Sequence, residues 1–229
     1  MEIFKEDTPW HPSGCKTCGR CVEICPTASR QIVGREITLE TLIEWVLRDQ
    51  VFYGEKGGVT CSGGEPLLQW DFVRIFTTHL RQIGIHVALD TACVAPWPII
   101  EEVPRYVDLI VADLKMISPE EHRRWTGMSN ETILKAIRFW NTKMPEGALW
   151  ISLPLVPGVH DKKEITRIVR FITSLDPTPT IRLLPYHPLG NIKYRALGKP
   201  PPPFSKDAKP LVTFAREMLS RNHVRVIPE

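Results

Sequence analysis

Apolar residues recur along this chain in two alternating periods. Leu39, Leu42, Ile43, Val46 and Leu47 keep the spacing of one helical face, with Thr38 placed to cap them. Gly58-Val59-Thr60-Cys61 then reads as a short strand that breaks at Ser62-Gly63-Gly64-Glu65-Pro66. Phe72, Val73, Phe76, Leu80 and Ile83 predict a second helix, stopped by Gly84. Strands are expected at 86–90 and 107–113. Ser118-Pro119-Glu120-Glu121 carries the signature of a capping box with Pro in the first turn. Asn130 is placed to cap the helix of Ile133, Leu134, Ile137 and Trp140. Residues 149–156 read as a strand despite Pro154, ended by Pro157-Gly158.

A second capping box, Asp161-Lys162-Lys163-Glu164, leads the helix of Ile165, Ile168, Val169, Ile172 and Leu175. Ile181-Arg182-Leu183-Leu184 is the last inner strand. Prolines 200–203 separate it from a final helix near 208–221 and a tail, Val224 to Ile227. Strands alternating with helices of this length predict a parallel α/β sheet. Five such steps are too few for a closed eight-stranded barrel and suit a partial barrel or an open doubly wound sheet.

Composition narrows the class. The 229 residues are 43% hydrophobic and 24% charged, enough for one full core with a small appendage. A net charge of +3 without a long basic run does not suggest nucleic-acid binding. No stretch reaches the length of apolar residues that a membrane helix needs. The first residues lack a hydrophobic signal core, so the expected location is cytoplasmic.

Four of the six cysteines lie close together, Cys15-x2-Cys18-x2-Cys21-x3-Cys25, followed by Pro26. That is the bacterial ferredoxin spacing for a 4Fe-4S cluster, in which the fourth cysteine normally serves a second cluster. Zinc or disulfide use is the competing reading of the run. Such a cluster is oxygen-sensitive and fits a reducing compartment. Cys61 and Cys93 read better as small core residues with inert thiols than as ligands.

Working residues in parallel α/β folds gather at the carboxyl ends of strands. Here those ends carry Gly63, Gly64 and Glu65, then Asp90-Thr91, then Asp113-Leu114-Lys115, and finally Pro185-Tyr186-His187. Two glycines before a glutamate let a backbone approach a ligand while a carboxylate receives a cation. Aspartates and a lysine around one mouth suit a zwitterion, the acids taking an ammonium or ribose hydroxyls and the lysine a carboxylate. The bland alternative makes the aspartates helix caps, Lys115 a surface charge and His187 a core histidine.

These residues carry a resemblance. Gly57 through Gln69 resembles the glycine-rich segment of radical S-adenosylmethionine enzymes that activate glycyl radical enzymes, the group that includes pyruvate formate-lyase activating enzymes. Arg48-Asp49-Gln50-Val51-Phe52-Tyr53, Asp113-Leu114-Lys115, Trp125-Thr126-Gly127, Leu155-Val156-Pro157-Gly158, Leu184 through Gly190 and Lys193-Tyr194 fit the same pattern. The resemblance implies a partial parallel (β/α) barrel over 36–229, lacking its first strand, after a ferredoxin-like iron–sulfur segment over 1–35. It implies that Gly63, Gly64 and Glu65 hold the methionine ammonium of S-adenosylmethionine. Asp90, Asp113 and Lys115 would line its methionine and ribose, and His187 its adenosyl group. The metal set would be Cys15, Cys18, Cys21 and Cys25, with no catalytic side chain assigned. The implied activity is reductive cleavage of S-adenosylmethionine to make a glycyl radical on a partner enzyme, with a flavodoxin or ferredoxin as electron donor.

Two departures stand out. None of the six cysteines forms the family's Cys-x3-Cys-x2-Cys loop, so the chain reads as starting partway through the family pattern and as inactive alone. Ser152 stands where members commonly have an arginine, which is expected to leave the mouth short of a cation. The alternatives are a non-catalytic iron–sulfur electron-transfer or interaction module, or an atypical radical cluster on Cys18, Cys21 and Cys25.

Overall fold

The computed structural model of the protein describes residues 16, 18–30, 32, 34–55, 57–205 and 207–227, with only the backbone at Ala196. Helices α1 (Arg20–Glu23) and α2 (Leu39–Arg48) precede strand β1 (Gly58–Cys61). Helix α3 (Trp70–Gln82), β2 (His86–Thr91), α4 (Trp97–Glu102) and β3 (Leu109–Asp113) follow. Then come α5 (Pro119–Thr126), α6 (Glu131–Lys143), β4 (Leu149–Leu155), α7 (Lys162–Thr173) and β5 (Thr180–Pro185). Two helices complete the chain, α8 (Asn191–Ala196) and α9 (Lys209–Arg221).

These elements pack as two units. The smaller takes the described residues up to Thr38 together with His187–Phe204; the larger takes Leu39–Tyr186 and the residues from Ser205 onward. The larger unit holds the five described strands in sequential order, β1-β2-β3-β4-β5, and every neighbouring pair is parallel. This is the expected partial (β/α) barrel arrangement. Among the described residues no strand pairs with the outer edge of β1. The outer edge of β5 is met by the tail: Ile181 N donates to Arg225 O at 2.9 Å, and Ile227 N to Ile181 O at 3.0 Å.

The strands read as apolar runs because both faces are covered. Val87, Leu89, Ile110, Ile151, Leu153 and Ile181 are wholly buried, as are Leu80, Ile137, Ile165, Ile168 and Ile172 from the helices. Each such side chain contributes roughly 1.5–3 kcal/mol. Trp140 is the largest of the buried set, and its indole N–H finds Ile100 O at 2.8 Å. No described helix is long and apolar enough to cross a membrane.

Three local expectations change. Helix α4 has no counterpart in the periodicity reading because Pro96 and Pro98 look like loop, yet Pro98 occupies the first turn, where its missing N–H is not needed. Asn130 stands at the N-cap of α6 but makes no capping bond; its Nδ2 donates to Met116 O (2.8 Å) and Ile117 O (2.9 Å) instead. Both capping boxes are half-built. Ser118 and Asp161 accept from the N–H of Glu121 and Glu164 as expected, whereas the Glu164 carboxylate turns away to Ile117 N and Ser118 N.

Candidate functional site

The two ends of β1 (Gly58–Cys61) need glycine for different reasons. A Cβ on Gly58 would stand 2.2 Å from His86 O, so the β1–β2 pairing itself demands glycine. Gly63 has φ +126°, a region that side chains disfavour, and a Cβ on Gly63 or Gly64 would meet nothing within 4 Å. The first constraint is packing; the second leaves bare backbone facing open space.

Glu65 then turns back into the fold. Its Oε1 accepts from Leu67 N at 3.1 Å and from Thr91 Oγ1 at 2.6 Å, and its Oε2 accepts from Ala92 N at 2.7 Å. Thr91 Oγ1 in turn accepts from Cys93 N at 2.9 Å. The carboxylate therefore ties the end of β1 to the end of β2.

Ser62, Gly63, Gly64, Glu65, Asp90, Thr91, Ala92 and Asp113 enclose a cleft of about 430 Å³ at the carboxyl ends of β1, β2 and β3. Asp113, Ser152 and Arg182 lie in register on β3, β4 and β5. Lys115 Nζ pairs with Asp113 Oδ2, while Asp113 Oδ1 is buried and unpartnered among the described residues. Arg182 Nη2 reaches Asp90 Oδ2 at 2.8 Å, and Ser152 Oγ accepts from its Nε (3.3 Å) and Nη2 (3.1 Å). The mouth is thus not short of a cation, as Ser152 alone suggested: β5 supplies one. The signal available in the sequence was a charged residue between two buried strand residues, Ile181 and Leu183, at an inward position of the pleat.

Of the expected ligand residues, Gly63, Gly64, Glu65, Asp90 and Asp113 line the cleft, and Lys115 is joined to it through Asp113. His187 belongs to the smaller unit, where it is exposed.

The segment that carries Lys115 is held from behind by three buried polar residues that periodicity alone does not single out. His160 Nδ1 accepts from Val156 N at 3.0 Å, so the proton sits on Nε2, which donates to Lys115 O at 2.7 Å. Asn130 holds the carbonyls of Met116 and Ile117, and Glu164 the N–H groups of Ile117 and Ser118. Glu164, 4% exposed, is also paired with Arg167 at 3.0 Å.

Cys93 is wholly buried, and burial pushes its thiol well above the ordinary range, helped by the Asp113 and Glu65 charges. Burial raises the Cys61 thiol to about 11. Both behave as core residues. In the N-terminal run Cys18 and Cys21 are exposed and Cys25 half-buried, and Cys15 lies outside the described residues. Cys25 Sγ is hydrogen-bonded to Ser29 Oγ (3.3 Å) and Thr27 Oγ1 (3.6 Å), and these bonds lower its thiol to about 6. Among the described residues no three His, Cys, Asp or Glu converge to hold a metal.

Comparison with known proteins adds the lineage. The model of the radical SAM superfamily matches residues 12–172. The chain is 36% identical over 189 residues to the indoleacetate decarboxylase activating enzyme of Tractidigestivibacter scatoligenes, covering 81% of this chain and 59% of that protein. It is 35% identical over 233 residues to the trans-4-hydroxy-L-proline dehydratase activating enzyme of Clostridioides difficile, covering 86% and 76%. The crystal structure of a domain of pyruvate-formate lyase-activating enzyme from Bacteroides vulgatus superposes with a TM-score of 0.62 at 31% identity, over 74% of this chain and 97% of that one. The chain thus spans about three fifths of the length of the first of these relatives. A match over more than half its residues, together with strands, glycine turn and acid-lined cleft in one frame, means that this chain belongs to the radical SAM superfamily.

Proposed function

We propose that the cleft binds S-adenosylmethionine and that the chain serves the activation of a glycyl radical enzyme. The observation that carries the reading is Asp113: it lines the same cleft as Gly63 and Gly64, its Oδ1 is buried without a partner among the described residues, and a bound hydroxyl or ammonium would satisfy it. The relatives named as activating enzymes support the class.

In this reading the peptide groups of Gly63 and Gly64 hold the methionine end of the ligand. Glu65 keeps that turn in place and faces the ammonium. Asp90 and Asp113 present one oxygen each to ammonium or ribose hydroxyls, their other oxygens being held by Arg182 and Lys115. His187 is assigned to the adenosyl group by resemblance. When bound and reduced by one electron, S-adenosylmethionine supplies methionine and a 5′-deoxyadenosyl radical, which takes a hydrogen atom from a glycine of the partner enzyme. The electron would come from a flavodoxin or ferredoxin.

The cysteines present do not fit the cluster that drives this cleavage, because no Cys-x3-Cys-x2-Cys occurs in the 229 residues. We therefore assign no step through it, and expect these residues alone to bind the ligand without cleaving it. Exposed charged contacts of about 1 kcal/mol or less each support roughly millimolar binding. The ferredoxin-type cluster is assigned to Cys15, Cys18, Cys21 and Cys25.

Two measurements test this. Titration of the chain with S-adenosylmethionine should show saturable binding that Asp113→Asn weakens; absence of binding defeats the reading. Anaerobic incubation with dithionite after cluster reconstitution should yield no sustained 5′-deoxyadenosine. Turnover abolished by Cys18→Ala would instead establish an atypical cluster on the N-terminal run.

A further inference from the structure

Arg182 is the one charged residue of β5, a strand otherwise built of Thr180, Ile181, Leu183, Leu184 and Pro185. It crosses β4 and β3 to reach β2. Ser152, 1% exposed, makes that passage possible: its small side chain leaves room, and its hydroxyl accepts from both Nε and Nη2, which fixes the plane of the guanidinium. Nη2 then meets Asp90 Oδ2, and Nη1 has no partner among the described residues. An arginine held by two groups, one of them a buried hydroxyl, is set in place more firmly than a surface ion pair.

The charge of the mouth depends on it. Three carboxylates, Glu65, Asp90 and Asp113, face two cations, Lys115 and Arg182, which leaves one negative charge; without Arg182 it would be two. A mouth with the larger negative charge accepts an ammonium and repels a carboxylate. One whose negative charge a guanidinium lowers accepts both on the same carbon. Charge balance of this kind decides which of two similar ligands is preferred more than it decides total affinity.

We propose that Arg182 is a specificity-determining residue of the cleft: acting through Asp90, it makes the cleft select a ligand whose amino group is accompanied by a carboxylate. This rests on the S-adenosylmethionine reading and names the part of the ligand that Arg182 discriminates. The carboxylate preference then belongs to β5, and Asp90 is a held group whose position Arg182 sets.

The test compares S-adenosylmethionine with its decarboxylated analogue, which keeps the sulfonium, the amine and the nucleoside. Both are titrated calorimetrically into the full chain and into Arg182→Gln. The unaltered chain should favour the carboxylate-bearing ligand by about tenfold, the discrimination expected of one charge-assisted contact, and Arg182→Gln should erase or invert that preference. Equal weakening of both ligands would overturn the assignment, making Arg182 a strut between β5 and β2 with no part in selection. An unaltered chain that binds both ligands equally would overturn it as well. Binding of neither ligand by the unaltered chain would defeat the S-adenosylmethionine reading itself. Should Arg182→Gln unfold, Arg182→Lys carries the test, because it keeps the charge and loses the fork. The preference should stay within about threefold of the unaltered chain, and its loss would overturn the role of charge.

Discussion

The two sides of the cleft are anchored differently. On the β1–β2 side the anchor is also a lining residue: Glu65 faces the cleft and spends its carboxylate on Leu67 N, Thr91 Oγ1 and Ala92 N. On the β3 side anchor and lining are separate residues. Asp113 lines the cleft with one oxygen unpartnered among the described residues, while the segment after it is fastened from behind by His160, Asn130 and Glu164. Carboxylates that accept backbone N–H groups build the site, whereas those paired with a single cation keep an oxygen for a ligand. Ion-pair counts alone would not separate the two kinds.

The largest effect should come from the hidden anchor. Glu164→Ala leaves the N–H groups of Ile117 and Ser118 without acceptors inside the fold and is expected to lower stability by about 3 kcal/mol in urea unfolding. Glu65→Ala removes three accepted bonds at a less buried position and should lower stability by about 2 kcal/mol. A Glu65 variant that binds ligand poorly at unchanged stability would break the comparison, because Glu65 would then act on the ligand alone, as Asp113 does, and not as the anchor of the turn.

Sequence and structure diverge along the same line. The strands, α2, α3, α7 and α9 were legible because burial imposes a period that apolar residues record. The Gly63-Gly64-Glu65 turn and the aspartates were legible because strand ends are where polar residues interrupt apolar runs. The pairing of Arg182 was hidden because its partner lies on β2, across two intervening strands, and no local spacing encodes that distance. Asn130 and Glu164 were assigned to their own helix ends, the local rule, and the structure uses both on the 115–118 segment instead. Cap signatures identify where a helix starts; they do not fix which backbone group the side chain serves.

Next in size is the ligand-facing acid. Asp113→Asn gives up an ion pair whose partners are 27% and 36% exposed, and it offers an amide where Oδ1 stood unpartnered, so stability should change by no more than about 0.5 kcal/mol. Binding of S-adenosylmethionine should weaken by about tenfold, since one charged acceptor is lost. A change in stability as large as that of Glu65→Ala would mean that Asp113 is an anchor too, and the division between the two sides would fail.

The smallest effect separates the side chain of Ser118 from its backbone. Its N–H is held by Glu164 Oε1 at 3.2 Å, so the segment stays anchored when the hydroxyl is removed. The hydroxyl accepts from Glu121 N at 3.4 Å, a long bond, and donates to Glu120 Oε2 at 3.1 Å. Asp161, the other cap, accepts from Glu164 N at 2.7 Å. Ser118→Ala should therefore lower stability by about 0.5 kcal/mol and Asp161→Ala by about 1 kcal/mol, both by urea unfolding. Acid sharpens the distinction. The Glu120 carboxyl is held below its ordinary value of 4.5, first by its own backbone N–H and then by the Ser118 hydroxyl. A depressed carboxyl contributes stability above its unfolded value, and that contribution is lost as pH falls through the lower folded one. The deficit of Ser118→Ala should then shrink below pH 4.5, as the bond it lacks is lost in the unaltered chain as well. A deficit that persists unchanged in acid would show that the hydroxyl acts through Glu121 N alone.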